Sequence, residues 1–173
     1  MIVFKDIISG DEIFSDSFPY KLVDDIYYEI EGKMTTETTD ISDEAIGGNA
    51  SAEEPTEQAE AASQTGINFV LAMRLVSVSK PTTIKKFKVE ILKPYLQAVK
   101  KKLTAENPDR VEKFQKGILK FVTERLDKNY ADWDLYTGES MNPDAMHVMV
   151  NYREDGVTPY MVVFKDGVVE EKF

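Results

Sequence analysis

Apolar and polar residues alternate with a period of two in the N-terminal part of the chain, a pattern typical of half-buried β-strands. It predicts strands at residues 2–6, 20–31 and 67–78, with a loop from Ile13 to Pro19 before the second. The C-terminal part predicts three more strands and a short fourth. These segments are Trp133 to Tyr136, Ala145 to Tyr152, Thr158 to Phe164 and Gly167 to Lys172, the last one after a hairpin turn at residues 165–167.

The apolar period changes to 3.6 residues in the middle of the chain, which predicts two amphipathic helices. The first apolar stripe is Ile84, Phe87, Ile91, Tyr95, Val99 and Leu103, and the second is Val111, Phe114, Ile118, Phe121, Val122 and Leu126. Because proline lacks a backbone donor, we expect Pro94 to kink the first helix or divide it into two pieces. Pro108 suits the first position of the second helix, and the short turn between the stripes predicts an antiparallel helical hairpin.

The order of strands, helical hairpin and strands predicts an α+β fold with a mostly antiparallel sheet. At 173 residues the chain is long enough for one core and short for two domains. We therefore expect a single domain over residues 1–173. Its β body comprises residues 1–79 and 131–173, and its basic helical hairpin comprises residues 81–129.

An acidic, weakly apolar insert runs from Thr35 to Gly66. It has eight acidic residues and no Lys or Arg. Such a composition buries too little apolar surface to offset the entropy lost on ordering, so we expect this loop to be mobile. Its centre, Ile46 to Glu54, reads IGGNASAEE and is more particular than a linker, because the Gly47-Gly48 pair permits backbone angles closed to other residues.

Charge is divided strongly along the chain. The segment from Lys80 to Lys128 carries 14 Lys and Arg against 6 Asp and Glu, a net charge of +8, which leaves −18 for the rest of a chain whose total is −10. The acidic body argues against general nucleic-acid binding, and the basic segment suits an acidic protein partner. With no cysteine, no membrane-length apolar run and no signal-peptide pattern at the N-terminus, a cytoplasmic location is expected.

The sequence offers little support for catalysis. Its one histidine, His147, lies in a predicted strand, where a structural or exposed role is the commoner one. No glycine-rich phosphate loop and no nucleophile elbow is present. One His and no Cys also argue against zinc. We interpret the chain as a non-enzyme without a tightly bound cofactor.

Three stretches together resemble the translationally controlled tumour protein family, also called fortilin or histamine-releasing factor. They are IGGNASAEE at residues 46–54, YTGESMNPD at residues 136–144 and YREDGVTPY at residues 152–160. The opening residues 1–6 and 11–16 are similar to the family as well. The resemblance covers essentially the whole chain. It implies a tent-like β-body from which the helical hairpin projects.

The resemblance also implies a multi-partner protein linked to growth, cell survival and histamine release, with secretion by a non-classical route compatible with it. Tubulin or microtubules, a small Ras-like GTPase, a translation elongation factor and survival proteins are the implied partners. For the GTPase, the implied contacts are Glu12 and Glu139. The alternative to a simple binding module is that the protein regulates the GTPase as an exchange factor or exchange inhibitor. For tubulin, the expected residues are Lys85, Lys86, Lys88, Lys100, Lys101, Lys102, Arg110 and Lys113. The other interpretation of these cations is a solvated helix face.

Weak calcium binding is a further expectation. Calcium takes oxygen ligands, and two of the motifs supply them. The candidate ligands are Asn49, Ser51, Glu53, Asn142 and Asp144. No EF-hand loop is present, so the site would be irregular; the alternative is that these side chains cap loops and form Asx turns. The resemblance implies calcium binding, and the residues alone leave both interpretations open.

Overall fold

The structure, a computed structural model, describes residues 1–38 and 63–173. The first six strands are β1 (Ile2–Asp6), β2 (Glu12–Ser15), β3 (Tyr20–Val23), β4 (Tyr27–Glu31), β5 (Met34–Thr38) and β6 (Ser63–Ile67). A short helix, α1 (Asn68–Met73), follows β6. The remaining strands are β7 (Val76–Val78), β8 (Asp134–Thr137), β9 (Val148–Tyr152), β10 (Pro159–Phe164) and β11 (Val168–Lys172). The helical hairpin lies between β7 and β8.

The strands form three sheets, in which all the pairings are antiparallel. A six-stranded sheet has the order β3-β4-β10-β9-β8-β7, a three-stranded sheet has the order β11-β1-β2, and β5 pairs with β6. The α+β class and the mostly antiparallel topology are therefore confirmed. Every helix within the two described ranges is too short or too polar to cross a lipid bilayer.

The six-stranded sheet is covered on both faces, and strand β10 is buried along its whole length. On one face, Phe4 and Phe14 of the three-stranded sheet stack with ring centroids 4.1 Å apart and pack against Tyr28 of β4. On the other face, Tyr27 of β4 meets Phe121 of the hairpin at 4.9 Å. Because successive strand residues point to opposite faces, Tyr27 and Tyr28 connect the sheet to two separate layers.

The hairpin has irregular helical geometry in both arms. Its first arm, α2 (residues 84–106), is α-helical over Ile84–Phe87, π-helical over Lys88–Leu92 and α-helical again over Lys93–Glu106. Pro94 lies at the start of the last piece, directly after the π-helical turn. The arm is continuous, so the predicted alternative of two separate helical pieces is wrong. The disturbance is instead a change in hydrogen-bond register directly before Pro94, which accommodates the missing donor.

The second arm, α3 (residues 108–126), begins with Pro108 in a 3-10 turn (Pro108–Arg110), continues as an α-helix (Val111–Phe121) and ends in a second π-helical turn (Val122–Leu126). Its predicted apolar stripe is buried, apart from the partly exposed Val111. Gly117 lies against Ile26, and a Cβ atom at this position would overlap the Ile26 side chain at its Cδ1 atom. The hairpin is thus packed against the sheet along its inner face.

Two of the predicted strands are wrong in their details. Residues 20–31 form a hairpin, β3 and β4, because Asp24 and Asp25 adopt positive φ angles of 53° and 61° and turn the chain. Residues 67–78 contain α1, which ends at Arg74 with a φ of 57°. Helix α1 places Phe69 in the core, and the Oδ1 atom of Asn68 accepts hydrogen bonds from the amides of Lys33 and Phe69.

Two connections also differ from the prediction. Residues 13–15, expected in a loop, belong to β2, because Ile13 and Phe14 are both fully buried between sheets. Residues 165–167 form a 3-10 turn, and β11 then leaves β10 to pair with β1 instead of closing a hairpin. The C-terminal strand therefore joins the two ends of the chain in one sheet.

The predicted irregular loop from Thr35 to Gly66 is wrong at its two ends. Thr35 to Thr38 and Ser63 to Gly66 pair with each other in the β5-β6 ladder. The central residues of the insert, including the candidate calcium ligands Asn49, Ser51 and Glu53, lie outside the described residues.

Candidate partner-binding surfaces

Arg125 of α3 anchors the hairpin to the six-stranded sheet. Its guanidinium donates hydrogen bonds to Glu29 Oε2 at 2.5 Å and to the Tyr160 hydroxyl at 2.6 Å. The guanidinium is also surrounded by aromatic rings, with centroids 5.6–5.8 Å away. These rings belong to Tyr27, Phe121, Trp133 and Tyr160. Such contacts add attraction between a cation and the ring faces.

Glu29 is the buried acidic partner in this anchor, with 6% of its side chain exposed. Arg153, at the start of the β9–β10 turn, donates from Nη1 to Glu29 Oε1 at 2.9 Å. Burial alone would raise the pKa of Glu29, but hydrogen bonds from Arg153 and Arg125 outweigh it and hold the pKa below its ordinary value. Glu29 therefore stays ionised between two arginines from different elements.

A second anchor lies at the opposite end of α3. Arg110 donates from Nε to Asp166 Oδ1 at 2.5 Å and from Nη1 to Asp25 Oδ2 at 2.9 Å. Lys113 and Lys165 also donate to Asp25, at 2.8 and 2.5 Å. Hydrogen bonds from Lys113 and Lys165 hold the pKa of the Asp25 carboxyl far below its usual range. This anchor places the acidic β3–β4 turn directly beneath the basic hairpin.

These anchors divide the predicted tubulin-binding residues into two groups. Four of them are engaged within the molecule. Arg110 and Lys113 bind Asp25, Lys88 pairs with Asp127 at 2.8 Å, and Lys102 donates to the Ile7 carbonyl. Half of the expected tubulin-binding residues are therefore occupied by contacts within the molecule.

The remaining four lysines form what we call the basic face, defined as Lys85, Lys86, Lys100 and Lys101. All four are exposed, and none forms an ion pair with another residue in the described part of the chain. Lys85 and Lys86 lie in the first turn of α2, where the Thr83 hydroxyl accepts a hydrogen bond from the Lys86 amide. Since the helix dipole disfavours cations at an N-terminus, their position does not serve helix stability.

Of the two predicted GTPase contacts, Glu12 is the first residue of β2 and Glu139 lies in the loop after β8. Asp11 precedes Glu12, and its carboxylate accepts hydrogen bonds from the Ser140 hydroxyl at 2.6 Å and the Ser140 amide at 3.3 Å. Gly138 packs so closely on Asp11 that a Cβ atom there would overlap it. Glu139, between these residues, is exposed and lies 3.3 Å from Arg74. Asp11 thus ties the start of β2, where Glu12 lies, to the loop that bears Glu139.

The two calcium candidates within the described residues take part in a turn. The Asn142 side-chain oxygen accepts a hydrogen bond from the Asp144 amide at 2.9 Å, an Asx turn. Within residues 1–38 and 63–173, no three His, Cys, Asp or Glu side chains are grouped so that they could hold a metal ion. Calcium binding at these motifs stays a prediction.

His147 offers no catalytic arrangement. Its ring Nδ1 lies 3.3 Å from the carbonyl oxygen of Ala145, and burial lowers the pKa of the imidazole. His147 is half-buried and lies directly before β9, which begins at Val148, so its predicted place within a strand is wrong.

Sequence reasoning missed Glu29, Arg125, Arg153 and Asp25 as important residues. The available signal was the charged Glu29 within the apolar run Tyr27–Glu31. Glu29 is two positions from Tyr27 and therefore shares its apolar strand face. An acidic side chain on such a face indicates a buried cationic partner, because a charge in a core must be paired.

Comparison with known proteins connects this architecture to one family. The model of the family described as translationally controlled tumour protein matches residues 1–169. The translationally-controlled tumor protein homologs of Branchiostoma belcheri and Schizosaccharomyces pombe are 47% and 48% identical to the chain, and each comparison covers all of both proteins.

Two solved structures are similar over the full chain. The translationally controlled tumor-associated protein of Schizosaccharomyces pombe has a TM-score of 0.79 at 46% identity, with all of both chains covered. The translationally-controlled tumor protein of Caenorhabditis elegans has a TM-score of 0.71 at 30% identity and covers 100% of this chain and 99% of its own.

The Glu29 anchor generates a prediction about stability and pH. Glu29→Gln removes the charge that Arg125 and Arg153 bind, so we expect the free energy of unfolding at pH 7 to fall by roughly 1.5–3 kcal/mol. Because the pKa of Glu29 is lowered on folding, the charge stabilises the protein above the ordinary pKa of glutamate, about 4.3. This stabilisation is lost as pH falls below that value, so the difference between wild type and variant should shrink in acid. Urea denaturation between pH 3 and 7 measures it.

The matched control is Glu31→Gln, on the same strand but exposed, with Arg153 3.4 Å away. Its effect should stay within about 0.5 kcal/mol, as for most surface sites. Equal destabilisation by the two variants, or a Glu29→Gln effect that is constant with pH, would show that Glu29 does not act through its buried charge.

Proposed function

The chain belongs to the translationally controlled tumour protein family, and on that premise we propose that it is an interaction protein that binds acidic partners, with the acidic tails of tubulin as the main candidate. The observation that supports this proposal is the basic face. Of the eight residues expected to bind tubulin, these four lysines are exposed and form no ion pair within residues 1–38 and 63–173, whereas the other four are engaged in contacts within the molecule.

Two physical arguments support binding over simple solvation. Lys85 and Lys86 lie at a helix N-terminus, where positive charge is unfavourable to the helix itself. In addition, the acidic body repels acidic partners, so that attraction is confined to the hairpin and orients the encounter. A flexible acidic tail needs no shaped pocket, since exposed lysines at several positions along the hairpin can contact successive carboxylates.

Charge reversal of the basic face tests the proposal. Lys85→Glu/Lys86→Glu and Lys100→Glu/Lys101→Glu should each weaken co-sedimentation with microtubules by roughly tenfold at low salt, because attraction is lost and repulsion is added. Raising the ionic strength from 0.01 to 0.15 M should weaken wild-type binding as well, since the Debye length falls from about 30 to about 8 Å. The side chains are exposed, so unfolding midpoints should change little.

The matched control is Lys33→Glu/Lys172→Glu, which changes net charge equally on exposed residues outside the hairpin. It should retain most of the binding. If this control weakened binding as much as the basic-face variants, net charge alone would explain the effect. If neither basic-face variant weakened binding, the basic face would be a solvated surface.

A second candidate function is regulation of a Ras-like GTPase, either by promoting nucleotide exchange or by inhibiting it. The observation that favours it is the contact of Asp11 with Gly138 and Ser140, which holds the start of β2, with Glu12, against the loop that bears Glu139. Exposed carboxylates held in this way can pair with Lys or Arg of a partner.

Titration of a fluorescent-GDP-loaded Ras-like GTPase tests this candidate. Glu12→Lys/Glu139→Lys should weaken binding, whereas Glu154→Lys, an exposed acidic residue on the β9–β10 turn, should not. If the rate of GDP release did not change with the wild-type protein, an exchange role in either direction would be contradicted. Unchanged affinity of the double variant would remove these two residues from the interface.

A further inference from the structure

A groove of about 480 Å³ runs between the outer faces of the two hairpin arms. Leu92 and Val122 form its buried floor, with 7% and 3% exposed. Val89 and Leu119 form its two edges and are 59% and 61% exposed. The surface around this open apolar groove otherwise carries lysines. Exposed apolar grooves of this kind mark ligand- or partner-binding sites.

Both π-helical turns of the hairpin contribute to this groove. Lys88–Leu92 supplies Val89 and Leu92, and Val122–Leu126 supplies Val122. Pro94 explains the first π-helical turn, but no proline lies within the second one, Val122–Leu126, or in the residues 127–142 that follow it. Single π-helical turns occur frequently at functional sites, and here two of them meet at one end of the same groove.

The charge of the residues that line the groove favours an anionic ligand. Its lining includes Lys88, Lys93 and Lys100 and no acidic side chain from the described residues. Lys88 is already paired with Asp127. Lys93 and Lys100 form no ion pair within residues 1–38 and 63–173, so one of them is available to an anionic group. A second copy of the chain would bring further lysines against these and would be repelled.

From this combination we infer that the hairpin groove binds a single fatty acid, with an alkyl chain of laurate length or longer. The alkyl chain lies along the floor formed by Leu92, Leu96 and Val122, and the carboxylate meets Lys93 or Lys100. The groove follows α2 from Lys88 to Lys100, which is about 18 Å at 1.5 Å per residue, a length that suits an extended alkyl chain. Its volume lies within the range of about 300–1,000 Å³ for small-molecule sites.

This site differs from the basic face in its chemistry. The acidic tails proposed above need exposed lysines alone, whereas the fatty acid needs the apolar floor and edges. The two share only Lys100. Lys85→Glu/Lys86→Glu should therefore leave fatty-acid affinity within about twofold of wild type. A result that contradicts either proposal does not contradict the other.

Calorimetric titration of the full chain with sodium laurate, kept below its critical micelle concentration, tests the inference. Laurate should bind saturably at one site. Acetate, which has the same head group and no chain, should not bind. Dodecyltrimethylammonium, which has the same chain and the opposite charge, should bind at least tenfold more weakly.

Substitutions then locate the site. Leu119→Glu places a carboxylate on an exposed edge of the groove and should lower laurate affinity at least tenfold, whereas Val157→Glu, at an exposed aliphatic residue on the β9–β10 turn, should not change it. Either Lys93→Gln or Lys100→Gln should lower affinity about two- to fivefold, the size of an exposed ion pair, and Lys101→Gln should have no effect. Unfolding midpoints confirm that each variant is folded.

Three results would overturn the inference. The first is no saturable laurate binding by the wild-type chain. The second is unchanged affinity in folded Leu119→Glu, which would place laurate elsewhere. The third is binding to anionic lipid vesicles or laurate micelles without binding of monomeric laurate, which would make the hairpin a lipid-surface contact instead.

Discussion

The ionised Glu29 side chain, buried between Arg125 and Arg153, is the interaction on which the arrangement of the molecule depends. A charge removed from water is costly unless it is paired and hydrogen-bonded, and both carboxylate oxygens of Glu29 are satisfied by arginines from different elements. Arg125 comes from the hairpin and Arg153 from the β9–β10 turn of the sheet. The pairing thus specifies where the hairpin lies on the sheet, and only 6% of the Glu29 side chain stays exposed.

This attachment determines which parts of the hairpin can bind partners. The inner face of α3 is committed to the sheet through Phe114, Ile118 and Phe121, and its polar contacts are committed through Arg110 and Arg125. What remains exposed is a set of lysines and an apolar groove. The same basic segment therefore serves two purposes: some of its cations hold the molecule together, and the others are directed outward.

The sequence alone predicted the regular parts of the fold well. The buried stripe of α3, the disturbance at Pro94 and the C-terminal strands β8 to β10 follow from periodicity and from the chemistry of proline. The turn at Asp24 and Asp25 was not predicted. Both residues adopt left-handed backbone angles, which are uncommon for residues other than glycine, and no glycine marks this turn in the sequence. Helix α1 was missed because its Phe69 and Leu71 also fit a strand of alternating residues.

The candidate surfaces were predictable only in part, since charge counts do not reveal which cations are paired. Arg110 and Lys113 are ordinary basic residues in the sequence, and their partner Asp25 lies 85 and 88 positions away. Likewise, Glu12 and Glu139 were expected to share a surface, but Asp11 and Ser140, whose contact joins the two segments, carry no signal of that contact in the sequence. Such pairings depend on the tertiary fold.

The most direct measurement of the central claim is a double-mutant cycle on Arg125→Met and Glu29→Gln, with unfolding free energies taken from urea denaturation at pH 7. If this ion pair attaches the hairpin to the sheet, the two substitutions should be strongly non-additive, with a coupling energy of at least about 1 kcal/mol. Additivity within about 0.3 kcal/mol would contradict the account. In that case apolar packing alone would hold the hairpin in place.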